Sequence, residues 1–465
     1  MLGTHLDYDV HYVHVTHDAV MDFDLSEYDA VFNSYCARHC FEGYVSASYC
    51  EALKRFAGPK VIAVQDEYDE TDRLKEAIAT LGFDVVLTCV PEASLEYVYP
   101  KADFPDVEFL TVFTGYVSDA LVQSHPNPKP LSERSRFIGY RGRDIGGRYG
   151  RLGYDKYEVG ARMKLECDAR GVSTDIAMDE QSRIYGPAWF DFIEDCRAML
   201  GSESGSNVFD FDGSISREYQ KMTLANSGHR PSYEEFEPFV AARERDIEMG
   251  QISPRVFECA TLRTPMVLFR GRYSDAIEPD THYIALEKDF SNVDEVLERL
   301  SDLKSLEAMT TRAYNHLVAS GDYSYAAFYQ RVADAIERRQ QTLAAGTVKR
   351  TVPQAQFVKS TDARDRILAE RPSTEPLGMS EYEDKQIQLA HLQLRHAFQG
   401  ARLSNPSSFT RSPLYHLLTA AKSLVMGSRL LKKIWYLLPQ SARFTLANRL
   451  HGLVNRLRPS DNTQR

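Results

Sequence analysis

The sequence predicts an α/β protein with two Rossmann-like domains that face a cleft, followed by a helical C-terminal extension. Three observations lead to this fold class. Short apolar runs alternate with helical patterns in two successive regions, a proline-rich stretch separates these regions, and the C-terminus is basic. Strands that alternate with helices pair in parallel. With 465 residues, the chain is long enough for about three domains.

The first domain is predicted over residues 1–123, and a linker with three prolines is predicted over residues 124–133. A helical pattern covers Thr71–Leu81. Strands are predicted at Asp9–Val15, Tyr28–Tyr35, Lys60–Gln65, Phe83–Val90 and Val107–Phe113. Their β-branched and aromatic residues are typical of strands.

The second domain is predicted over residues 134–340, where the alternation is clearer. Strands are predicted at Phe137–Tyr140, Val172–Ala177, Arg197–Gly201, Met266–Phe269 and Tyr283–Leu286, and helices at Asp155–Arg170, from Pro187, at Pro254–Leu262 and from Asn292 to Leu300. A polar, acidic stretch at about residues 211–250 interrupts the pattern, and we interpret it as an insertion.

The C-terminal region differs in composition from the rest of the chain. Residues 341–410 are predicted to be a polar linker with a short helix, and residues 411–465 a basic amphipathic helical arm. Nine Lys or Arg and no Asp or Glu fall between Arg411 and Arg458. Since the whole chain has a net charge of −11, the rest of the chain has a net charge of −20. A basic amphipathic helix pair fits an anionic membrane surface, and docking on a partner or on the core is the alternative.

Composition also narrows the location and the partners. The N-terminus lacks a signal-peptide pattern, no run of about 18 apolar residues occurs, and the seven cysteines are scattered. These features predict a cytoplasmic protein, and the basic arm predicts a peripheral location on the inner face of the membrane. The acidic net charge does not favour a nucleic-acid partner.

A segment rich in glycine and arginine follows the strand predicted at Phe137–Tyr140. Positions 139 to 153 hold six glycines and four arginines, and a helix is predicted directly afterwards. Glycine lets a backbone approach a phosphate, arginine pairs with phosphate oxygens, and a helix start presents free N–H groups. The segment predicts a diphosphate site formed by Arg143 and Lys156, with a solvated charged loop as the alternative. It is neither GxGxxG nor a Walker motif, so a dinucleotide and ATP hydrolysis are not implied.

Two further segments carry groups suited to a sugar nucleotide. The first consists of Glu203, Ser204, Gly205, Ser206 and Asn207, directly after the strand predicted at Arg197–Gly201. Its hydroxyl and amide groups fit a sugar or phosphate, and an ordinary turn is the alternative. In the second, Ser253 and Pro254 open a helix that carries Arg255 and Glu258. A carboxylate there can accept two hydroxyl groups of a ribose, and a surface glutamate is the alternative.

Residues 137–290 resemble the donor-binding half of glycosyltransferases with the two-domain B-type (GT-B) fold. In that family a Gly-Arg after the first strand of this half and a later lysine bind the donor diphosphate, and Arg143 and Lys156 match that order. A family helix of the form Pro-x-x-x-Glu-Ala-x-Ala-Cys-Gly-Thr-Pro supplies the glutamate that binds the ribose. The stretch from Pro254 to Pro265 is similar to it, with Glu258 in the glutamate position. The resemblance extends more weakly over residues 5–135.

The chain also departs from the family pattern. Two family glutamates are separated by seven residues, but Gly250 stands where the first would lie relative to Glu258. Glu203 is the candidate replacement. Leu262 and Arg263 replace the usual Cys-Gly, and the first strand and glycine loop of the N-terminal domain are not evident.

The resemblance implies a glycosyltransferase that moves a hexosyl or related group from a nucleoside diphosphate sugar to a hydroxyl acceptor. The expected setting is bacterial surface polysaccharide or glycolipid biosynthesis, with a glycan or lipid-linked acceptor and no metal or other cofactor. The implied donor site comprises Arg143, Lys156, the run 203–207, Ser253, Arg255 and Glu258. A sugar-nucleotide epimerase of the same fold and a non-catalytic scaffold subunit are the alternatives.

Two acidic pairs are further candidates. Asp66 and Glu67 end the strand predicted at Lys60–Gln65, where either carboxylate is a candidate general base for an acceptor hydroxyl. Asp210 and Asp212 spell the metal motif DxD of a different glycosyltransferase fold. Since the architecture around this motif is not the one that uses it, we predict no metal site.

Overall fold

The computed structural model describes residues 2–15, 19–21, 23–41, 43–244 and 247–345. It contains two parallel β-sheets with helices packed on them, so the predicted α/β class with two Rossmann-like domains is confirmed. The residues of the predicted polar linker from 346 onward and the basic arm lie outside the described residues.

The nine strands are short and well separated along the chain. They are β1 (Val31–Asn33), β2 (Lys60–Ala63), β3 (Val85–Thr88), β4 (Glu108–Thr111), β5 (Gly139–Arg141), β6 (Asp175–Ala177), β7 (Met199–Gly201), β8 (Met266–Phe269) and β9 (Ile284–Leu286).

The α-helices of the described residues vary from one turn to more than five. They are α1 (Leu2–His5), α2 (Ala47–Arg55), α3 (Thr71–Leu81), α4 (Leu95–Val98), α5 (Asp119–Ser124), α6 (Gly150–Ala169), α7 (Pro187–Glu194), α8 (Ser214–Ala225), α9 (Tyr233–Val240), α10 (Pro254–Thr261), α11 (Val293–Arg299), α12 (Leu303–Tyr314) and α13 (Tyr325–Ala344). A π-helical turn at Asn315–Ala319 continues α12.

The first sheet has the strand order β1-β2-β3-β4, and all its pairs are parallel. The strand predicted at Asp9–Val15 is wrong, because these residues adopt no regular structure. Tyr12 is 72% exposed and Val13 is 42% exposed, so the apolar alternation in this segment covers no buried face of a sheet.

The second sheet has the strand order β6-β5-β7-β8-β9, again with every pair parallel. Strand β5 lies between β6 and β7, the next two strands along the chain, so the strand order reverses at β5. In open α/β sheets the carboxyl ends of the strands at such a reversal border a crevice where ligands bind. The crevice in this sheet lies between the segments that follow β5 and β7.

The long helix α13 returns from the second sheet to the first. Its residues Val332, Ala335 and Ile336 pack against buried residues of β2 and β3. Arg339 also forms a buried ion pair with Asp84, in which guanidinium Nη2 lies 2.7 Å from Oδ1. The helix therefore joins the two sheets into one body and holds the groove between them together.

The predicted insertion contains the helices α8 and α9. Phe236 and Val240 of α9 form a small apolar core with Ile215 and Tyr219 of α8. The start of the segment is hydrogen-bonded to the start of α3. There the N–H groups of Thr71 and Asp72 donate to the carbonyl oxygens of residues 210 and 211. The segment therefore contacts both halves of the protein.

None of the helices in the described part of the chain combines the length and the apolar character needed to cross a bilayer.

Candidate active site

The crevice at the strand-order reversal collects most of the residues that the sequence selects. Arg143 follows β5, the run 203–207 follows β7, and α10 with Ser253 and Glu258 precedes β8. Lys156 lies on the second turn of α6, which begins at the same edge of the sheet. Helix α6 begins at Gly150, five residues before the predicted start, so the helix itself positions Lys156.

The glycines of the segment 139–153 serve close internal packing. Gly146 has a positive φ of 77°, and a Cβ atom there would overlap the hydroxyl group of Tyr219. Gly150 has a φ of 66°, and a Cβ atom there would overlap the carboxylate of Glu244. That carboxylate also accepts the Arg151 N–H group at the start of α6. This N–H donor is therefore occupied by the insertion, contrary to the prediction that the helix start presents free donors.

Arg143 differs from the other three arginines of this segment. Arg141 pairs with Asp175 at 2.7 Å, and Arg151 pairs with Asp155 and Glu158. Arg148 lies over the ring of its neighbour Tyr149. Arg143 is exposed, and within the described residues no hydrogen bond or ion pair is recorded for it. It is therefore the arginine of this segment available to an anion.

Lys156 lies in the cavity wall with its charge poorly compensated. The side chain is half-buried, and no ion pair is recorded for it within the described residues. Burial lowers the pKa of Lys156 to about 8. The charges of Arg255 and Arg143 also lower this pKa, whereas the charge of Asp66 raises it. Two guanidinium groups and one ammonium group therefore interact at one place, an arrangement that a diphosphate would neutralise.

Arg255 is fixed across the crevice. Its Nη2 atom donates to the carbonyl oxygen of Arg141 at 2.8 Å, and its Nη1 atom lies 3.4 Å from that of Leu200. Ser253 accepts the Arg255 N–H group and so caps α10 as predicted. Because both carbonyl groups belong to strand ends, Arg255 brings a positive charge to the junction of β5 and β7.

Glu258 lies on the second turn of α10, half-buried beside Arg255. Its Oε2 atom accepts a hydrogen bond from the indole Nε1 of Trp189 at 2.9 Å. Burial raises the pKa of Glu258, while the bond from Trp189 and the charge of Arg255 act in the opposite direction. The carboxylate is thus oriented at the same edge that holds the three cations, as a ribose acceptor would require.

Glu203 occupies the space beside Gly250. A Cβ atom on Gly250 would lie 2.7 Å from Glu203 Oε1, so the carboxylate fills the place of a side chain at 250. Its Oε1 atom accepts the Arg272 N–H at 2.7 Å and the Tyr273 N–H at 3.4 Å. Glu203 therefore fastens the loop after β8. Whether it also contacts a donor sugar stays a prediction.

The four residues that follow Glu203 divide into two pairs. Ser204 and Gly205 line the cavity between the two sheets. Ser206 is fully buried, and its hydroxyl group bonds backbone groups of residues 149 and 208. Asn207 accepts the Met249 N–H at 2.8 Å. The first pair therefore lines the cavity, and the second pair supports the loop.

Asp66 and Glu67 have different surroundings. Asp66 lines the cavity, pairs with Arg38 at 2.6 Å and accepts the hydroxyl of Tyr68 at 2.8 Å. Glu67 is 1% exposed and accepts hydrogen bonds from Thr88, Cys89 and Tyr99. Burial raises the pKa of Glu67 against these bonds. Asp66 therefore lies at the cavity, whereas the carboxylate of Glu67 is engaged by buried donors. The general-base role of either residue stays a prediction.

A cavity of about 110 Å³ joins the two halves. Asp66, Cys89 and Thr114 line it from the first half, and Lys156 and Gln251 line it from the second. Ligand pockets typically enclose about 300–1,000 Å³, so this space matches a single sugar or phosphate group better than a whole nucleotide sugar.

The DxD pair has a structural position. Asp210 accepts the N–H groups of Ile215 and Ser216, and Asp212 accepts that of Ser214, so both carboxylates cap the start of α8. Within the described ranges, no group of three or more His, Cys, Asp or Glu side chains is placed to hold a metal ion.

Sequence reasoning missed several residues of the site. Trp189 holds Glu258, Arg38 holds Asp66, and Gln251 donates from the second half to the carbonyl oxygen of Cys89. The chain contains only two tryptophans, and Trp189 lies two residues after Pro187, which opens a helix after Gly186. That combination was a usable signal for Trp189, whereas Arg38 and Gln251 carry none.

Comparison with known proteins gives similarity at the level of solved structures. No protein-family model matches the chain. No curated protein matches it either. The chain is similar to solved glycosyltransferases of the two-domain B type.

Three of these structures illustrate the similarity. TarM from S. aureus, solved with UDP among its ligands, is 14% identical with a TM-score of 0.32, over 60% of this chain and 51% of that chain. Sucrose-phosphate synthase from Thermosynechococcus elongatus is 13% identical with a TM-score of 0.33, and the match covers 69% of this chain and 75% of the synthase chain. HepE from Anabaena, solved with UDP-glucose, is 11% identical with a TM-score of 0.31, and the match covers 67% of this chain and 79% of the HepE chain. The match thus spans about half the length of TarM, and nothing about this chain's substrate follows from such distant similarity.

Proposed function

We propose that the chain is a glycosyltransferase that uses a nucleoside diphosphate sugar as donor and a hydroxyl group as acceptor. The observation that carries the proposal is the convergence of Arg143, Lys156 and Arg255 at the strand-order reversal, beside Glu258. Three neighbouring cations suit a diphosphate, and the carboxylate of Glu258 beside Arg255 suits a ribose. The resemblance of residues 137–290 to the donor half of GT-B enzymes supports the same roles.

The chemistry follows from this placement. The bond between the anomeric carbon and the β-phosphate oxygen breaks, and the acceptor oxygen bonds to that carbon. Arg143, Lys156 and Arg255 stabilise the negative charge on the departing diphosphate. Asp66 lines the same cavity from the first half of the protein and takes the proton of the acceptor hydroxyl. The cavity between them is where the sugar would lie.

Donor turnover by the purified protein tests this function. We would incubate it with UDP-, GDP-, ADP- and TDP-glucose, first alone and then with simple alcohols as acceptors. We expect slow release of one nucleoside diphosphate, faster release with an alcohol, and loss of release in Arg143→Ala. A new sugar isomer formed without release would instead identify an epimerase. No reaction with any donor would contradict the proposal and favour a scaffold subunit.

A control variant separates the site from general charge effects. Arg170 follows the C-terminal end of α6, at the edge of the second sheet opposite the crevice, where it pairs with Glu166 and Asp294. Arg170→Ala removes the same charge as Arg143→Ala from the same domain. We expect Arg170→Ala to release nucleoside diphosphate at the unaltered rate.

We further propose that the acceptor is a glycan or a lipid-linked saccharide at an anionic membrane surface, as in polysaccharide or glycolipid biosynthesis. The support is the basic composition of residues 411–458. The full chain should sediment with vesicles containing phosphatidylglycerol and remain in solution with phosphatidylcholine vesicles. Salt at about 0.5 M should release it, because a surface charge attraction is screened. Equal binding to both vesicles would contradict this part.

A further inference from the structure

Trp189 contacts Glu258 from a different helix. It lies in the first turn of α7, and its indole Nε1 donates to Glu258 Oε2 on α10 at 2.9 Å. The indole has one donor and no acceptor, so this bond uses its whole hydrogen-bonding capacity. Nothing in the glycosyltransferase resemblance of residues 137–290 assigns a role to this residue.

The indole ring has two further contacts. It stacks on Phe192 with ring centres 5.8 Å apart, and the guanidinium of Arg255 lies 5.4 Å from its centre. The same guanidinium lies 4.7 Å from the ring of Tyr140 in β5. Contacts with a core ring and with a cation of the proposed donor site therefore restrain Trp189, and the direction of its N–H group with it.

We infer that Trp189 is the positioning residue that orients Glu258 for ribose recognition, by binding Oε2 and leaving Oε1 directed to the sugar hydroxyls. This inference rests on the proposed function. No partner is recorded for Oε1 within the described residues, so one oxygen of the carboxylate is available to a ligand. Preorganisation of this kind raises affinity because the ligand does not have to order the side chain.

The charge of Glu258 depends on the same contact. The groups that interact with it are Trp189 from α7, Arg255 and Cys259 from α10, and Tyr325 from α13. Burial raises the pKa of Glu258, and the indole N–H and the guanidinium counteract this rise. Without the indole N–H, the carboxyl group takes up a proton at a higher pH. A protonated carboxyl group is a poorer acceptor, so ribose binding should fail earlier on acidification.

The test compares ribose with 2′-deoxyribose nucleotides. We would titrate wild type, Trp189→Phe, Glu258→Gln and the double variant with UDP and 2′-deoxy-UDP by calorimetry between pH 5 and 8, and repeat this with the GDP and ADP pairs. Phe keeps the ring contacts and removes the N–H donor. The matched control is Tyr325→Phe, which removes a hydroxyl group from another neighbour of Glu258.

The expected result is specific to positioning. Wild type should prefer the ribose nucleotide about tenfold, and Trp189→Phe should lose most of this preference. On acidification, the affinity of Trp189→Phe for the ribose nucleotide should fall at a higher pH than that of wild type. The double variant should bind no worse than Glu258→Gln alone, because both changes act through one carboxylate. Tyr325→Phe should keep the wild-type preference.

Three outcomes would overturn the inference. They are an unchanged ribose preference in Trp189→Phe, equal binding of both nucleotides by wild type, and additive losses in the double variant. In each of them wild type still binds a nucleotide, so the proposed function survives. Failure of wild type to bind any nucleotide would reject the proposed function and this inference together. Should Trp189→Phe not fold, Glu258→Gln alone should lose the preference, and its retention would also reject the inference.

Discussion

Lys156 is the residue whose charge most directly links the site to pH. Burial lowers its pKa to about 8, so in the free protein about half of the amines are neutral at pH 8. A bound diphosphate favours the ammonium form, so binding at pH 8 should take up about half a proton. Affinity should be constant at pH values well below 8 and fall as the pH rises through 8. Calorimetry in two buffers with different ionisation enthalpies measures this uptake.

The control for this prediction is Lys156→Arg. Arginine remains protonated at pH 8, so the variant should bind without taking up protons even if its affinity differs. Binding heats that are independent of the buffer for wild type at pH 8 would show that Lys156 does not contact the diphosphate.

Substitution of Glu67 should affect mainly the stability of the protein, whereas substitution of Asp66 should affect mainly its activity. Glu67→Ala leaves the N–H group of Cys89 and the hydroxyl groups of Thr88 and Tyr99 buried without their acceptor. We expect it to lower the free energy of unfolding by about 3 kcal/mol or more. Asp66→Asn alters a partly exposed pair with Arg38 and should change that free energy by about 1 kcal/mol or less.

Urea denaturation and the donor-turnover assay, applied to both variants, check this contrast. Asp66→Asn should lose acceptor-dependent turnover while keeping nucleotide affinity, because the base acts on the acceptor. A stable Glu67→Ala protein, or full turnover by Asp66→Asn, would reverse the assignment.

At the residue scale, types and spacing predicted the cationic cluster but not its bonding. Arg143 and Lys156 were predicted from their order after β5, and in the structure the charges of Arg143 and Arg255 both act on Lys156. Glu67 was a candidate base, yet its carboxylate bonds residues 21 to 32 positions away in sequence. Such contacts depend on the three-dimensional pairing of β2 with β3, which local sequence does not encode.

At the element scale, β5 requires a glycine at its start. A Cβ atom on Gly139 would overlap the Sγ atom of Cys196 and lie 3.0 Å from Phe192 Cζ. Gly139→Ala should therefore lower the free energy of unfolding by about 2 kcal/mol, since a fully packed core does not accept an added methyl group. Adding Cys196→Ala removes the sulfur and should restore part of this loss.

Thermal or urea unfolding of the two single variants and the double variant checks this packing. The double variant should be more stable than Gly139→Ala alone, a non-additive result expected of residues in contact. Simple addition of the two losses would mean that the strand relaxes away from Cys196.

Element prediction succeeded where the apolar pattern matched a buried surface. Helix α3 has the predicted bounds and ends at Gly82, whose φ of 68° suits a glycine cap. The prediction at Asp9–Val15 failed because alternation alone does not show that a neighbouring strand exists. The glycine-rich segment was predicted to form a diphosphate site, but Gly146 and Gly147 make room for α8 and α9, whose packing the insertion pattern did not reveal.

At the scale of the whole molecule, the cavity depends on contacts that cross between its halves. Thr114 donates to the carbonyl oxygen of Ile252 at 2.5 Å, and Gln251 donates to that of Cys89. Helix α13 adds the buried pair of Arg339 with Asp84. Because Asp66 and Lys156 belong to different halves, these contacts set the separation between the two side chains.

The central claim is that the strand-order reversal of the second sheet binds a nucleoside diphosphate. Calorimetric titration of the full chain with UDP, GDP, ADP and TDP, for wild type, Arg143→Ala and Arg170→Ala, tests it most directly. We expect saturable binding of one nucleotide by wild type and Arg170→Ala, and at least tenfold weaker binding by Arg143→Ala, since a charge-assisted bond to phosphate is lost. Absence of binding for all four nucleotides, or equal binding by Arg143→Ala, would contradict the claim.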